Sequence, residues 1–368
     1  MFPAVFRKRC ILVKNLFISY MERFFISLIV FLLLVPLVFL LYFTIVKYRP
    51  LPEEMIDESE VSDVIPVDTA FRFCLWNIGY AGLNKEMDFF YEGGTMVRPS
   101  KETVYHNMNS MTAFLNKNTS CDFYLLQEVD VNSKRSYYLN EVDFLNDGLQ
   151  LGHHYFALNY KVDFVPLPIT EPMGKVEAGL LVLTNKKAFS CKRYSYPYNF
   201  KWPLCLFLLD RCFMTLRYKT DNGKELVVIN THNSAFDNEG KLRIAELNDL
   251  RDFMVKEYEK GNYVIAGGDF NQSPVGTQKY VEGEVFDVVD DIVIPDTLFP
   301  ADWHYVYDNN HASNRRVDTV YVKGKTRVSL VDFFLTSPNV EVDTVQCHDL
   351  GFENTDHNPV EMTVRLKE

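Results

Sequence analysis

The chain has 368 residues, 47% of them hydrophobic and 14% aromatic, and a formal net charge of −11. That hydrophobic share excludes a largely disordered polymer. The negative balance excludes the broad basic footprint of a tight, non-specific nucleic-acid binder.

Residues 1–23 are basic, with Arg7, Lys8, Arg9, Lys14 and Arg23 ahead of an uninterrupted apolar stretch, Phe24 to Val46. Its 23 residues would cover a bilayer core of roughly 30 Å at about 1.5 Å per residue, which predicts an uncleaved transmembrane helix. Pro36 is compatible with such a span. The basic residues ahead of it favour a cytoplasmic amino terminus and an extracytoplasmic domain, although a start at Met21 would remove four of the five. Residues 47–67 include LPEEMIDESEVSDVIPV, six acids without a base, and read as a solvated tether. With the +6 of residues 1–50 and those six acids set aside, residues 68–368 still carry −11.

Residues 68–368 read as one domain in which short apolar strands alternate with two clear helices, an α/β layered pattern. Strands are expected over Phe71–Asn77, Phe123–Gln127, Gly179–Thr184, Cys212–Tyr218, Leu226–Thr231, Asn262–Gly267, Val331–Leu335 and Pro359–Leu366. Val104, Met108, Met111 and Leu115 form a helical stripe behind a Ser100 cap. A second helix is expected over Lys241–Lys260, with Ile244, Leu247, Leu250, Met254 and Tyr258 inward and Gly261 as its stop. The seven cysteines show no metal-ligand spacing. Cys205 and Cys212 are close enough in sequence to pair in an exported domain.

Polar groups collect at the ends of these apolar runs: Asn77 in FCLWNIG, Gln127 and Glu128 in FYLLQEVD, His232 in VVINTHNSAFD, Asp269 and Asn271 in VIAGGDFNQSP, and Asp356 and His357 in NTDHNPV. Asp332 in SLVDFFLTS lies inside an apolar strand, where an acid is costly unless paired. From Phe71 to Leu366 this ordered series resembles the endonuclease/exonuclease/phosphatase superfamily. The resemblance implies a four-layer α/β sandwich of two mostly antiparallel sheets flanked by helices, here preceded by one transmembrane helix.

It also implies roles. Asp269 resembles the acid that positions or deprotonates the attacking water, Asn271 the amide that holds nucleophile and phosphate, and His232 the histidine that stabilises the pentavalent phosphoryl group. Glu128 resembles the metal ligand, with Asp356 as a second, for Mg²⁺ or Mn²⁺. Asn77 and Gln127 resemble groups that orient Glu128 or the phosphate. His357 would act as base or electrostatic stabiliser, with Asp332, favoured over Asp318, fixing its tautomer. Arg98, Arg135 and Trp303 with His304 are candidate liners of the substrate cleft. The expected function is a membrane-anchored phosphoester hydrolase, nuclease-like or acting on a lipid head group or inositol phosphate. A catalytically silent, membrane-tethered binding module is the rival of another class. The expected partners are the phosphoester and the bilayer; the sequence names no protein partner.

Overall fold

The computed structural model describes residues 3–118, 120–235, 237, 240–274, 276–277, 283, 285–286 and 293–368, with backbone alone for residues 3–13, 118 and 286. It divides into two compact units, Met1–Tyr48 with Trp202–Leu206, and Arg49–Lys201 with Phe207–Glu368.

In the first unit, helix α1 (Pro3–Val46) continues unbroken through Pro36 and begins well before the apolar stretch expected from sequence. The part from Lys14 to Val46 has a mean hydropathy of 3.2 over its most apolar window, and none of that window is buried. By length and composition it can cross a membrane.

The second unit holds, in chain order, β1 (Glu53–Glu58), β2 (Val64–Ile65), β3 (Phe71–Asn77), α2 (Lys101–Asn118), β4 (Phe123–Asp130), α3 (Glu141–Leu149), β5 (His153–Val165), β6 (Gly174–Thr184), β7 (Ser190–Ser195), β8 (Cys212–Thr220) and β9 (Glu225–His232). There follow α4 (Lys241–Glu259), β10 (Tyr263–Asp269), β11 (Val285–Phe286), β12 (His304–Val306), β13 (Asn314–Arg315), β14 (Arg327–Ser329), β15 (Asp332–Thr336), β16 (Val340–Cys347) and β17 (Val360–Leu366). An eight-stranded sheet runs β1-β7-β8-β9-β10-β15-β12 with β2 beside β8, and a six-stranded sheet runs β16-β17-β3-β4-β6-β5. Most neighbours are antiparallel, but β3 with β4, β9 with β10 and the two-residue β2 with β8 are parallel. A parallel pair needs a crossover, and α2 supplies it between β3 and β4 and α4 between β9 and β10.

Each crossover helix covers the outer face of its sheet. Val104, Met108, Met111 and Leu115 of α2 pack with Leu145 of α3 against Trp76, Leu126 and Leu181. On the other side Leu247, Leu250 and Met254 of α4 pack against Val227, Ile229 and Val264. Between the sheets lie Phe73, Leu75 and Leu125, facing Met214, Val228, Ile265 and Phe334. The result is the four-layer α/β sandwich. Its sheets approach closely at Gly267, where a Cβ would stand 2.7 Å from the Phe334 ring and 2.9 Å from Leu125.

The Ser100 hydroxyl caps α2 by accepting from Thr103 N at 3.2 Å, as expected. The acidic segment departs from the solvated tether read from sequence. Glu53–Glu58 pairs with β7, and Val64–Ile65 with β8. Ile56 packs on the inter-sheet core, and the acids meet a basic strand, with Glu53 Oε1 at 2.6 Å from Lys192 Nζ. Cys205 and Cys212 are both free thiols, so the suggested pairing does not form.

Candidate active site

The parallel pairs β3–β4 and β9–β10 end at the same edge of the sandwich. Register sets Asp269 beside His232 and opposite Asp332, while Asn77 lies beside Gln127. At the end of β4 the pairing with β6 slips between Leu126 and Val129, and Glu128 takes a φ of 54°. The bulge re-aims the Glu128 side chain. Val360 of β17 pairs with Leu75 of β3, so the loop just before it delivers Asp356 and His357 to the same edge.

Asp269 is the hub. Its Oδ2 accepts from Asn77 Nδ2 at 3.0 Å and lies 3.5 Å from His232 Nε2 and 3.7 Å from His357 Nε2. Its Oδ1 accepts from the backbone N–H of Asn271 at 2.9 Å. The same Asn77 amide reaches Glu128 Oε1 at 3.4 Å, and His232 Nε2 lies 3.9 Å from that oxygen. His357 Nδ1 is held by Asp332 Oδ2 at 2.7 Å, and its Nε2 lies 3.0 Å from the Asn314 side-chain amide. Asn271 Nδ2 donates to Asn233 O at 3.0 Å. Gly79, at φ +52°, lets the chain pass this cluster, because a Cβ would stand 2.9 Å from Asp356 Oδ1 and 2.8 Å from Thr355 Oγ1.

Burial and charge separate the two histidines. Burial, then the positive Arg211 and His357, holds His232 well below the usual imidazole range, so it is neutral. Burial opposes a charge on His357 too, but Asp332, Asp356 and Asp269 outweigh it and raise its pKa. Burial pushes Asp332 up to about 6 against the opposing pull of His357. Asp356 is pushed up to about 7 by burial, with His357 opposing and Glu128 adding.

Asp269, Asp332 and His357 each present a ligand atom within 4.8 Å of one another. Asp332 Oδ2 already holds His357 Nδ1, however, so this trio is better satisfied as a carboxylate–imidazole–carboxylate line than as an ion cage. Glu128 and Asp356 are the stronger donor pair for a divalent cation, with the Asn77 Nδ2 orienting Glu128. The two acids offer hard oxygens, and the raised Asp356 marks surplus negative charge that a cation would offset.

The structure therefore brings together Asn77, Glu128, His232, Asp269, Asn271, Asp332, Asp356 and His357. Asp318 instead lies 3.5 Å from Arg316 on the surface. Gln127 is displaced from its expected role. It bridges the sheets by donating to Asn230 Oδ1 at 2.7 Å, one step inside the site. The four cleft candidates have other partners, although Arg135 still reaches Glu128 and His232 electrostatically. Arg135 is buried, bonded to Asp130 at 2.9 Å and stacked 3.7 Å over the Tyr80 ring, so its guanidinium is already committed. Arg98 donates to Lys134 O at 2.6 Å and lies over Tyr137. Trp303 packs in the core beneath α4 with Phe299 and Tyr258, while His304 is exposed on the edge strand β12.

Sequence reasoning missed Arg211, a buried guanidinium whose Nη1 has no hydrogen-bond partner among the described residues and which feels the carboxylates of Glu246, Glu128 and Asp269. Register places it one step before β8, across from the residues just beyond β9. It missed Asn314 and Tyr80 as well. None of the three ends a recognisable apolar run.

A family model described as Endonuclease/Exonuclease/phosphatase family matches residues 74–357. Among solved structures, an endonuclease/exonuclease/phosphatase from Beutenbergia cavernae is 17% identical, with 81% of this chain and 72% of that chain covered and a TM-score of 0.51. TDP2 from Danio rerio, complexed with a single-strand DNA product, is 13% identical over 81% of this chain and 100% of that one, with a TM-score of 0.51. TDP2 from Caenorhabditis elegans is 14% identical over 81% and 74%, with a TM-score of 0.50. At these identities the structural likeness bears on the fold alone. No curated protein matches the sequence.

Proposed function

The chain belongs to the endonuclease/exonuclease/phosphatase family, and from that premise we propose a membrane-anchored, divalent-metal-dependent phosphodiesterase with nuclease-like activity. The observation that carries this reading is the convergence of Asn77, Glu128, His232 and the Asp332–His357 pair on Asp269.

Glu128, oriented by the Asn77 amide, and Asp356 would hold Mg²⁺ or Mn²⁺, which when bound would polarise a phosphoryl oxygen. Asp269 is held at Oδ1 by the Asn271 N–H and at Oδ2 by the Asn77 amide, and through a remaining lone pair it accepts a proton from the attacking water and aligns that water with phosphorus. His232, neutral and buried, donates from Nε2 to the phosphoryl oxygens as charge develops. His357 is fixed by Asp332 as a triad histidine is fixed by its acid, and adds positive charge at the same face. Asn271 orients the phosphate.

A nucleic-acid phosphodiester is supported by the zebrafish relative bound to a DNA product. A second reading, hydrolysis of a lipid head group, is favoured by the exposed apolar face of α1, with the amino terminus cytoplasmic and the catalytic domain outside. The deciding experiment assays the full chain in detergent against DNA, RNA, sphingomyelin and inositol phosphates, with and without Mg²⁺ or Mn²⁺, beside Asp269→Asn. Turnover that needs both the ion and Asp269, lost by on the order of 10²-fold or more in the variant, is the expected result. Equal turnover by the variant would end this mechanism.

A further inference from the structure

The contacts of α1 change at its carboxyl end. The helix is exposed from Lys14 almost to its last turns, then Phe43 is only 6% exposed and Thr44 is partly covered. The turn Trp202–Leu206, which links β7 to β8, belongs to the same compact unit. Trp202 Nε1 donates to Thr44 Oγ1 at 3.1 Å, and that hydroxyl donates to Leu40 O at 2.7 Å. The turn closes on itself through Leu206 N to Pro203 O at 3.0 Å. Leu206 anchors the turn, at 4% exposure, but Trp202 at 57% and Leu204 at 59% stay exposed, as do Tyr42 at 51% and Ile45 at 66% on the helix.

Resting on the reading of α1 as a span, we infer that the Trp202–Leu206 turn is a second membrane contact, seated at the boundary between acyl chains and head groups. Depth favours a lipid occupant. Thr44 lies two residues from the end of α1, about 3 Å of rise, so the indole sits where a span of this length leaves the hydrocarbon. Tryptophan is suited to that level, with an apolar ring in the acyl region and an N–H in reach of polar groups. Charge agrees with depth, because Lys47 and Arg49 follow the helix and Lys201 precedes the turn, as cations do at a head-group layer. An apolar patch continuous with a membrane-facing helix is covered by the same lipid that covers the helix. The chain then meets the bilayer twice, through α1 and through a turn more than 150 residues later in sequence.

The test reconstitutes the full chain in nanodiscs whose lipids carry bromine either near the head-group end or near the terminal methyl of the acyl chains. Trp76 and Trp303 are 1% and 6% exposed, so Trp202 should supply the lipid-quenched fluorescence. The expected result is quenching that is stronger from shallow bromine and disappears in Trp202→Phe. Quenching unchanged in Trp202→Phe, or a Trp202 signal reached by aqueous acrylamide but not by bromolipid, would overturn the contact and leave a soluble partner or a second copy to cover the patch. Alkaline carbonate extraction separates the premise from the inference. Release of the chain by carbonate would overturn the span itself, and retention without Trp202 quenching would overturn the turn alone.

Discussion

An acid within an apolar strand is tolerated where a cation answers it, and Asp332 is answered by His357 at 2.7 Å. Replacement of Asp332 by Asn keeps the shape but favours the wrong imidazole tautomer. Turnover should fall on the order of 10²- to 10⁴-fold with the fold retained. Asp318→Asn, in a residue paired at the surface with Arg316, should leave turnover within about two-fold, since surface pairs contribute little. Parallel kcat measurements with circular dichroism decide between them, and equal losses would remove Asp332 from its role. Gly79 gives a second residue-scale prediction. Alanine there meets both a positive φ and the Asp356 carboxylate, so Gly79→Ala should cost about 1–3 kcal/mol in chemical denaturation and more in activity than in stability. The polar residues that end hydrophobic strands, Asn77, His232 and Asp269, were legible in the sequence because continuous apolar runs announce them. Arg211 and Asn314 were not, since their importance comes from which neighbours the fold leaves without partners, and that is a three-dimensional property.

Among the elements, α4 shows where local pattern suffices and where it fails. Its inward stripe of Leu247, Leu250 and Met254 is fully buried, as periodicity predicts, yet the same helix also buries Glu257. That carboxylate accepts from Arg217 Nη2 of β8 at 2.6 Å, Lys260 Nζ at 2.7 Å and Asn262 Nδ2 at 2.9 Å. A sequence reader sees an acid and a lysine on a helix end. The tie from helix to sheet needs β8, far away in the chain. Burial alone would raise the Glu257 pKa, but the hydrogen bonds from Arg217 and Lys260 outweigh it and bring it down to about 2 from 4.5. A depressed carboxylate stabilises the fold above its unfolded pKa, and that stability is lost as pH falls through the folded one. Up to about 3 kcal/mol should therefore disappear between pH 4.5 and about 2, at roughly 1.4 kcal/mol per unit. In urea melts, Glu257→Gln should be less stable at pH 7 and should lack this limb; a variant that loses stability as steeply as the wild type over that window would contradict the assignment. The strands β1 and β5 and the helix α3 also escaped notice. β1 hides in an acidic run whose partner, the basic β7, is more than 130 residues away.

For the whole molecule, an α/β layering was readable because strands and helices alternate and the family resemblance supplied the four layers, whereas the slip at Glu128 and the sharing of one edge by β3–β4 and β9–β10 follow from closure of the sandwich. That edge concentrates Glu128, Asp269, Asp332 and Asp356 in a domain already carrying net negative charge. Such a cluster carries repulsion that His357 offsets only in part, as the raised Asp356 indicates. A divalent cation bound there should stabilise the folded state by mass action, by about 2.7 kcal/mol at a hundred times its Kd. For a domain of this size that corresponds to a rise on the order of 5 °C in Tm. Mn²⁺ and Mg²⁺ should therefore raise the Tm of the wild-type chain in a saturable way. Glu128→Ala removes a proposed ligand and should abolish most of that rise, while its ion-free Tm should be close to or above that of wild type because one repelling charge is gone. The pairing of these two effects is what separates a metal site from a structural carboxylate, whose loss would lower the ion-free Tm and leave the response to Mn²⁺ intact. Calorimetric scans of both proteins across an ion titration read the two quantities together, independently of which phosphoester the enzyme hydrolyses.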